Sequence, residues 1–299
     1  MAAATPIILD TDIGTDIDDT WALAMLLKSP ALDLRLLVSA HGDTPYRARV
    51  AAKLLETAGR HDVAVGIGIK GEPLAVRPQE AFVKDYELSA YPGVVCEDGV
   101  KAIIDTIEAC EDPVTIVSIG PFTNVAAALE REPALARRAR IVGMHGSVRR
   151  GYQGSSEVAP EYNVFCDVEA CRKVLAADWP VTLTPLDTCG LVRLKGPAYR
   201  RVRACADPII SALFSNYAAW IDAVGASPER LAEKSTTLYD TVAIYLAESE
   251  DLLQVEEMGI RVDDEGFTRI DPGARKIRVA TAWKSLDAFY ELLVERLCA

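Results

Sequence analysis

The sequence predicts an α/β protein with a mostly parallel, doubly wound open sheet, helices on both faces and a helical C-terminal portion. Three observations predict it. Apolar runs of strand length alternate with amphipathic stretches of helix length as far as about residue 190, which is the pattern of βαβ units. The apolar runs end in Gly, Asp or Asn, as where Val114-Thr115-Ile116-Val117-Ser118 meets Ile119-Gly120-Pro121. The chain has 299 residues, 50% of them hydrophobic, and a mean hydropathy of +0.11, ample for a large core. One domain spanning residues 1–299 is the simplest organisation, with a helical cap near residues 210 to 250 as a variant of it.

The elements follow in order. Pro6-Ile7-Ile8-Leu9 reads as a buried strand, and Trp21, Leu23, Ala24, Leu26 and Leu27 recur at helical spacing. A second strand covers Leu34 to Ser39 and ends in the polar turn Ala40-His41-Gly42-Asp43-Thr44, before a helix over 48–58. Val63 to Gly68 is a short third strand. Residues 69–98, with Pro73, Pro78 and Pro92, lack periodicity and read as a long irregular excursion. A helix over 99–109, a strand over 114–118 and a helix over 125–131 come next, with Pro121 suited to a first helical turn. Then come a strand over 139–144, a glycine-rich loop over 147–161, the stretch Tyr162-Asn163-Val164-Phe165-Cys166-Asp167 and a helix through Val174. A strand over 181–186 leads into Asp187-Thr188-Cys189-Gly190. Beyond Pro208 helices dominate, over 209–224 and 241–248. Two short strand-like pieces near Ile260 and Ile277 precede a final helix over 286–297.

The first strand and first helix flank the most unusual stretch of the chain, Leu9-Asp10-Thr11-Asp12-Ile13-Gly14-Thr15-Asp16-Ile17-Asp18-Asp19. Five carboxylates in ten residues repel one another, which raises their pKa values. A divalent cation such as Ca²⁺ or Mg²⁺, with its preference for hard oxygen ligands, removes that cost. Helix capping explains Thr15, Asp16 and Asp18, but not Asp10 and Asp12, which precede the turn. Gly14 allows the turn itself.

Net charge is -12 and the sequence pI about 4.8. Such a surface disfavours nucleic acid and anionic membranes as partners. The seven cysteines are scattered and odd in number, with no Cys-x-x-Cys, a pattern of reduced thiols in a cytoplasmic protein. The N-terminus lacks a signal-peptide pattern, and no apolar run has the length of a membrane span.

The predicted strand ends bring Asp10, Asp12, Asp43, Asn124, His145 and Asp187 towards one edge of the sheet. Glu161, Asn163 and Asp240 stand on segments able to reach it. Each residue has an ordinary structural role open to it, such as a cap for Asp240 or a turn for Asp187. The convergence of so many on one edge suggests a site, because ligands of open α/β sheets bind there.

Taken together, the acid cluster, Gly42-Asp43, Gly120-x-x-Thr123-Asn124, Met144-His145-Gly146, Glu161-Tyr162-Asn163 and Tyr239-Asp240 stand in the order found in the inosine–uridine preferring nucleoside hydrolase family. The chain resembles that family over about residues 5 to 295. The resemblance implies the nucleoside hydrolase fold and hydrolysis of the N-glycosidic bond of ribonucleosides to ribose and free base. It also implies one Ca²⁺ per chain, held by Asp12, Asp19, Asp240 and the main-chain carbonyl of Ile119, with Asp10 and Asp18 beside the metal. Asp12 would take a proton from a water that the ion holds. Asp43, Met144, Ser155, Glu161, Tyr162 and Asn163 would bind the substrate. A homodimer or homotetramer working in nucleoside catabolism and salvage is implied as well.

Departures from the family pattern matter. Thr15-Asp16-Ile17 stands where shorter members have one residue. Asp43 replaces an asparagine, and Ser155 stands where an asparagine would meet the ribose. Tyr239 replaces the histidine that protonates the leaving base in many members, and with an unperturbed pKa near 10 a tyrosine is a poor acid for that step. Tyr239 is still the first candidate for leaving-group activation, followed by His145, His41, Tyr217 and Trp220. Two other readings stay open on the sequence alone. One is a Ca²⁺-dependent riboside sensor without turnover. The other is a Mg²⁺ phosphatase of the haloacid dehalogenase type, suggested by Asp10-Thr11-Asp12 after a buried strand.

Overall fold

A computed structural model describes residues 4–72 and 76–299. Pro73, part of the expected excursion, and the first three residues of the N-terminus lie outside the described residues. Ten strands form one sheet. They are β1 (Thr5–Thr11), β2 (Leu32–Ser39), β3 (Ala64–Ile67), β4 (Val95–Cys96), β5 (Val114–Ser118), β6 (Ala139–Gly143), β7 (Val181–Leu183), β8 (Leu253–Val262), β9 (Thr268–Ile270) and β10 (Lys276–Trp283). Their spatial order is β4-β3-β2-β1-β5-β6-β7-β10-β8-β9. Pairing is parallel from β4 through β7 to β10, and antiparallel between β10 and β8 and between β8 and β9.

The order matters for function. The chain winds outwards from β1 to β4, then crosses back so that β5 lies on the other side of β1. The direction of winding therefore reverses between β1 and β5. A crevice opens at the carboxyl ends of the two strands at such a reversal.

The central strands alternate between two buried faces, as strand geometry requires. Ile7 and Leu9 of β1 join one apolar cluster and Ile8 joins the other. The first cluster takes in Trp21, Leu54, Tyr199, Tyr217, Val242 and Phe289, from helices on one face. The second takes in Ile103, Val125 and Val174 from helices on the opposite face, and Trp179 from the loop before β7. The helix Asp18–Leu27 is buried along almost its whole length. A helix apolar all round is the kind that sits between layers, and this one packs against the helices Pro208–Ala223 and Thr241–Glu248.

Several expectations need correction. The two C-terminal strand-like pieces are not short: β8 has ten residues and β10 eight. Glu256 and Glu257 interrupt the apolar alternation of β8, and a register shift near Ala280–Ala282 interrupts that of β10. The helix expected through Val174 is Val168–Ala176, and a separate short helix, Tyr162–Cys166, precedes it. Asp167 separates the two by capping Val168–Ala176, its Oδ1 accepting from Ala170 N at 3.0 Å. The excursion over 69–98 contains a short helix, Glu80–Val83, and β4. A helix over Gly196–Arg203 was not read from the sequence, because it is short and only Tyr199 and Val202 on it are buried. The cysteines are not all thiols either: Cys205 and Cys298 form a disulfide with Cα atoms 5.7 Å apart. Among the described residues, no helix is long and apolar enough to cross a membrane.

Candidate active site

The acid cluster sits at the β1–β5 crevice. Asp10 stands one residue before the end of β1, paired with Val38 on one side and Ser118 on the other. Its carboxylate is fully buried and accepts from Asn124 Nδ2 at 2.8 Å and Ser118 Oγ at 3.1 Å. Burial pushes its pKa up to about 7 despite these bonds. Asn124 also donates to the Ser39 carbonyl and accepts from Ile69 N, which joins β1, β2 and the loop after β3.

Beyond Asp10 the chain turns at Gly14, whose φ of +112° a side chain would resist. Gly120 lets β5 pass close: a Cβ there would lie 2.9 Å from Asp12 N. The turn brings Asp12, Asp18 and Asp19 together, and Asp240 joins them at the start of the helix Thr241–Glu248. Carboxylate oxygens of Asp18, Asp19 and Asp240 lie within 4.8 Å of one another, all three buried. Burial raises each of them well above the ordinary carboxylate range, and the neighbouring acids add to it. Asp12 is raised by burial too, with Arg47 pulling the other way.

A cavity of about 240 Å³ opens here, lined by Asp12, Thr15, Asp16, Asp18, Asp19 and Asp240 together with Ile119, Met144, Tyr152, Glu161, Tyr162, Asn163 and Tyr239. Glu161 is buried and caps the helix Tyr162–Cys166. Its oxygens accept from Asn163 N at 2.9 Å, Gly146 N at 3.0 Å and Val164 N at 3.3 Å. Burial outweighs these donors and lifts its pKa to about 7. Asn163 Nδ2 donates to the carbonyls of Ile119 and Met144, at 3.1 and 3.0 Å. Tyr239 packs edge-on against Tyr152, and burial pushes its hydroxyl up to about 12.

Of the residues expected at the site, Asp12, Asp18, Asp19, Ile119, Met144, Glu161, Tyr162, Asn163, Tyr239 and Asp240 line this one cavity, with Asp10 directly behind. Two do not. Asp43 caps the helix Thr44–Thr57 through Tyr46 N and forms an ion pair with Arg77. Ser155 is exposed, its hydroxyl accepting from Glu157 N at 3.1 Å. Four candidates for leaving-group activation also lie off the cavity wall. His145 is stacked on Phe122 at 3.6 Å, fully buried, and held near pKa 3 by that burial. Tyr217 and Trp220 are core residues that tie the carbonyls of Lys234 and Thr15. His41 meets the Tyr162 hydroxyl at 3.5 Å without lining the cavity. Asp187 accepts from Val148 N and Arg149 N, as a turn residue does.

Three contributors had no reading from sequence. Thr11 Oγ1 donates to Asp19 Oδ1 at 2.5 Å and accepts from Ile13 N at 3.1 Å. Arg47 is buried, donates to the carbonyls of Asp12 and Ile13, and brings its guanidinium to 3.9 Å from the Asp12 carboxylate. Arg47 and Arg49 flank Ala48 in one stretch, and no local pattern tells which of the two is buried at the site. Tyr152 adds an aromatic ring to the wall. Thr15, expected as a helix cap, is not one: the helix Asp18–Leu27 starts after Ile17 with no side-chain cap, which leaves Thr15 on the cavity wall.

The donor set fits a hard divalent cation. Three buried carboxylates converge and repel, Asp12 and a main-chain carbonyl stand beside them, and no histidine or thiol competes on the cavity wall.

The inosine-uridine preferring nucleoside hydrolase family model matches residues 7–289. The chain belongs to that family, a family of metal-dependent N-glycosyl hydrolases. It is 33% identical to the pyrimidine-specific ribonucleoside hydrolase RihA of Salmonella agona over 222 residues, 69% of this chain and 68% of that one. An uncharacterised protein of Schizosaccharomyces pombe is 27% identical over 97% of this chain and 98% of its own length. Solved structures share the fold. A plant nucleoside hydrolase superposes with a TM-score of 0.80 at 24% identity, covering 99% of both chains. A purine-preferring ribonucleoside hydrolase of Gardnerella vaginalis gives 0.78 at 22% identity, covering 98% of both.

Proposed function

We propose that this protein hydrolyses the N-glycosidic bond of ribonucleosides in a Ca²⁺-dependent reaction, with residues 1–299 acting as one catalytic unit. The observation that carries the reading is the β1–β5 cavity, which gathers a cation-type acid cluster, Glu161, Asn163 and the Tyr239 hydroxyl around a volume of about 240 Å³. Asp12, Asp19, Asp240 and the Ile119 carbonyl would hold the ion, with Asp10 and Asp18 beside it. When bound, Ca²⁺ supplies positive charge to bind the ribose 2′- and 3′-hydroxyls and to acidify a water.

The chain's own groups supply the rest. Asp12 accepts the proton of the attacking water, and the Arg47 guanidinium favours its ionised form. Asn163 and Glu161 hold ribose hydroxyls, with Met144 and Tyr162 beside the sugar. The Glu161 carboxylate, fixed by three backbone N–H groups, also presents negative charge to the oxocarbenium-like sugar. The Tyr239 hydroxyl keeps its proton at neutral pH and donates a hydrogen bond to the departing base. Burial and mutual repulsion disfavour the ionised forms of Asp18, Asp19 and Asp240, a cost that a bound cation removes.

The family resemblance supports two further parts of the proposal: a homodimeric or homotetrameric assembly, and a cytoplasmic role in nucleoside catabolism and salvage. The relatives include a pyrimidine-specific and a purine-preferring enzyme, so the test uses both base classes. Reducing-sugar release is measured from inosine, adenosine, uridine and cytidine, after chelation and after Ca²⁺ is restored. Ca²⁺-dependent release of ribose from at least one nucleoside supports the proposal. Nucleoside binding without release from any of them would mark a sensor and reject it.

A further inference from the structure

We propose that Thr15 and Asp16 form the base-reading element of the cavity, with Asp16 accepting a hydrogen bond from an N–H of the nitrogen heterocycle that leaves. This inference rests on the hydrolase reading and deepens it.

The backbone of the turn is fixed from behind by groups on other elements. Arg47 donates to the carbonyls of Asp12 and Ile13. The Tyr46 hydroxyl donates to the Gly14 carbonyl at 3.1 Å, and Trp220 Nε1 to that of Thr15 at 2.9 Å. Gln79 Nε2 donates to the Asp16 carbonyl at 2.6 Å, and the Gln79 amide is itself held by Asn216 Nδ2 at 2.7 Å. Every carbonyl from Asp12 to Asp16 is thus occupied, and none of these bonds uses the Thr15 or Asp16 side chain.

Both side chains line the cavity. The Thr15 hydroxyl is buried without a hydrogen-bond partner. Asp16 uses only Oδ1, which accepts from Ile17 N at 2.7 Å, so Oδ2 is unengaged among the described residues. A buried polar group left unpaired is costly, and the five occupied carbonyls fix the backbone that holds both side chains on the cavity wall. Tyr239 lines the same cavity. An acceptor on Asp16, a donor on Tyr239 and a hydroxyl of either sense on Thr15 suit a heterocycle with an N–H beside a carbonyl or a ring nitrogen. A plain aryl group satisfies none of them. Sites that hydrogen-bond a substrate N–H reject analogues lacking it far more strongly than apolar pockets reject a missing methylene.

The test compares uridine and inosine with p-nitrophenyl β-ribofuranoside, whose leaving group has no N–H. In Asp16→Ala the ratio of nucleoside to nitrophenyl riboside kcat/KM falls about 10- to 150-fold, as loss of a hydrogen bond to a charged group requires. Thr15→Val lowers it in the same direction. Calorimetry with Ca²⁺ present reads the element without turnover: in Asp16→Ala the affinity for an intact nucleoside falls relative to that for free ribose. An unchanged ratio in both assays overturns the proposal. So does a loss of Ca²⁺ affinity in Asp16→Ala, which would make Asp16 part of the cation site. If the wild type releases ribose from no substrate, the hydrolase reading fails on that result, and the calorimetric ratio alone decides the role of Asp16.

Discussion

Replacing Thr11 with valine should weaken cation binding without opening a cavity. The Thr11 hydroxyl donates to Asp19 Oδ1 at 2.5 Å in a buried setting, so the bond orients a carboxylate assigned to the metal. Hydrogen bonds to charged groups contribute about 1.5–3 kcal/mol, and about 1.4 kcal/mol is tenfold in affinity. Thr11→Val therefore raises the Ca²⁺ dissociation constant about 10- to 150-fold, the range also typical of groups that orient metal ligands. Valine has nearly the shape of threonine, so packing is kept. The same substitution strips Ile13 N of its acceptor, and an orphaned buried N–H costs about 1–3 kcal/mol of folding stability. The two effects separate experimentally. Calorimetric titration of chelated protein with Ca²⁺ reads the first, and urea unfolding in chelator reads the second. Thr11→Ser keeps the hydroxyl and should restore both. Wild-type Ca²⁺ affinity in Thr11→Val would refute the assignment of Asp19 as a ligand held by Thr11.

Other outcomes follow from the same structure. In chelated protein, Asp10 and Glu161, whose pKa values rise from 3.8 and 4.5 to about 7, contribute stability that is present at low pH and lost as pH rises through about 7. The Ca²⁺-dependent gain in unfolding free energy should therefore grow from acid to neutral pH, reaching about 2.7 kcal/mol when Ca²⁺ is at 100 times its dissociation constant; a gain independent of pH would contradict this. His145 has the opposite sign, because its pKa falls from 6.5 to about 3. The unfolded chain takes up that proton first, so stability drops by about 1.4 kcal/mol per pH unit below about 6.5. His145→Gln should flatten that part of the urea-unfolding pH profile, and an unchanged slope would count against a neutral buried imidazole. The Cys205–Cys298 bond closes a loop with a sequence separation of 93, for which the chain-entropy model gives about 4–5 kcal/mol. Cys298→Ser should lower the unfolding free energy by up to that amount, and five thiols should titrate in the unreduced, denatured wild type.

The parallel part of the fold was legible because its strands are apolar on both faces and end in polar turns. β5 and the helices over 99–109, 241–248 and 286–297 have the bounds their periodicity predicts. The C-terminal hairpin was harder to read because Glu256, Glu257 and Arg278, none of them buried, break up the apolar run of its strands. At the site, the carboxylates were legible because five acids crowded into one turn repel one another and need a cation or protons to offset that cost. Asp43 and Ser155 were misplaced because a motif position fixes a residue's place along the chain but not the direction of its side chain. Arg77 and Tyr46 N claim Asp43, and solvent claims Ser155. Thr11, Arg47 and Tyr152 act through single hydrogen bonds or packing across the fold, which no local pattern encodes. The disulfide joins positions far apart in sequence, whose proximity only the packing of the helices Gly196–Arg203 and Leu286–Leu297 reveals.

If the acid cluster at the β1–β5 crevice is a cation site, ribosyl hydrolysis depends on its being filled. The most direct measurement is ribose release from a good nucleoside substrate by chelated protein as Ca²⁺ is titrated back. Release should be absent at the start and should rise until it saturates at one Ca²⁺ per chain. Full activity in the chelated protein, or Ca²⁺ binding with no recovery of ribose release, would contradict that dependence.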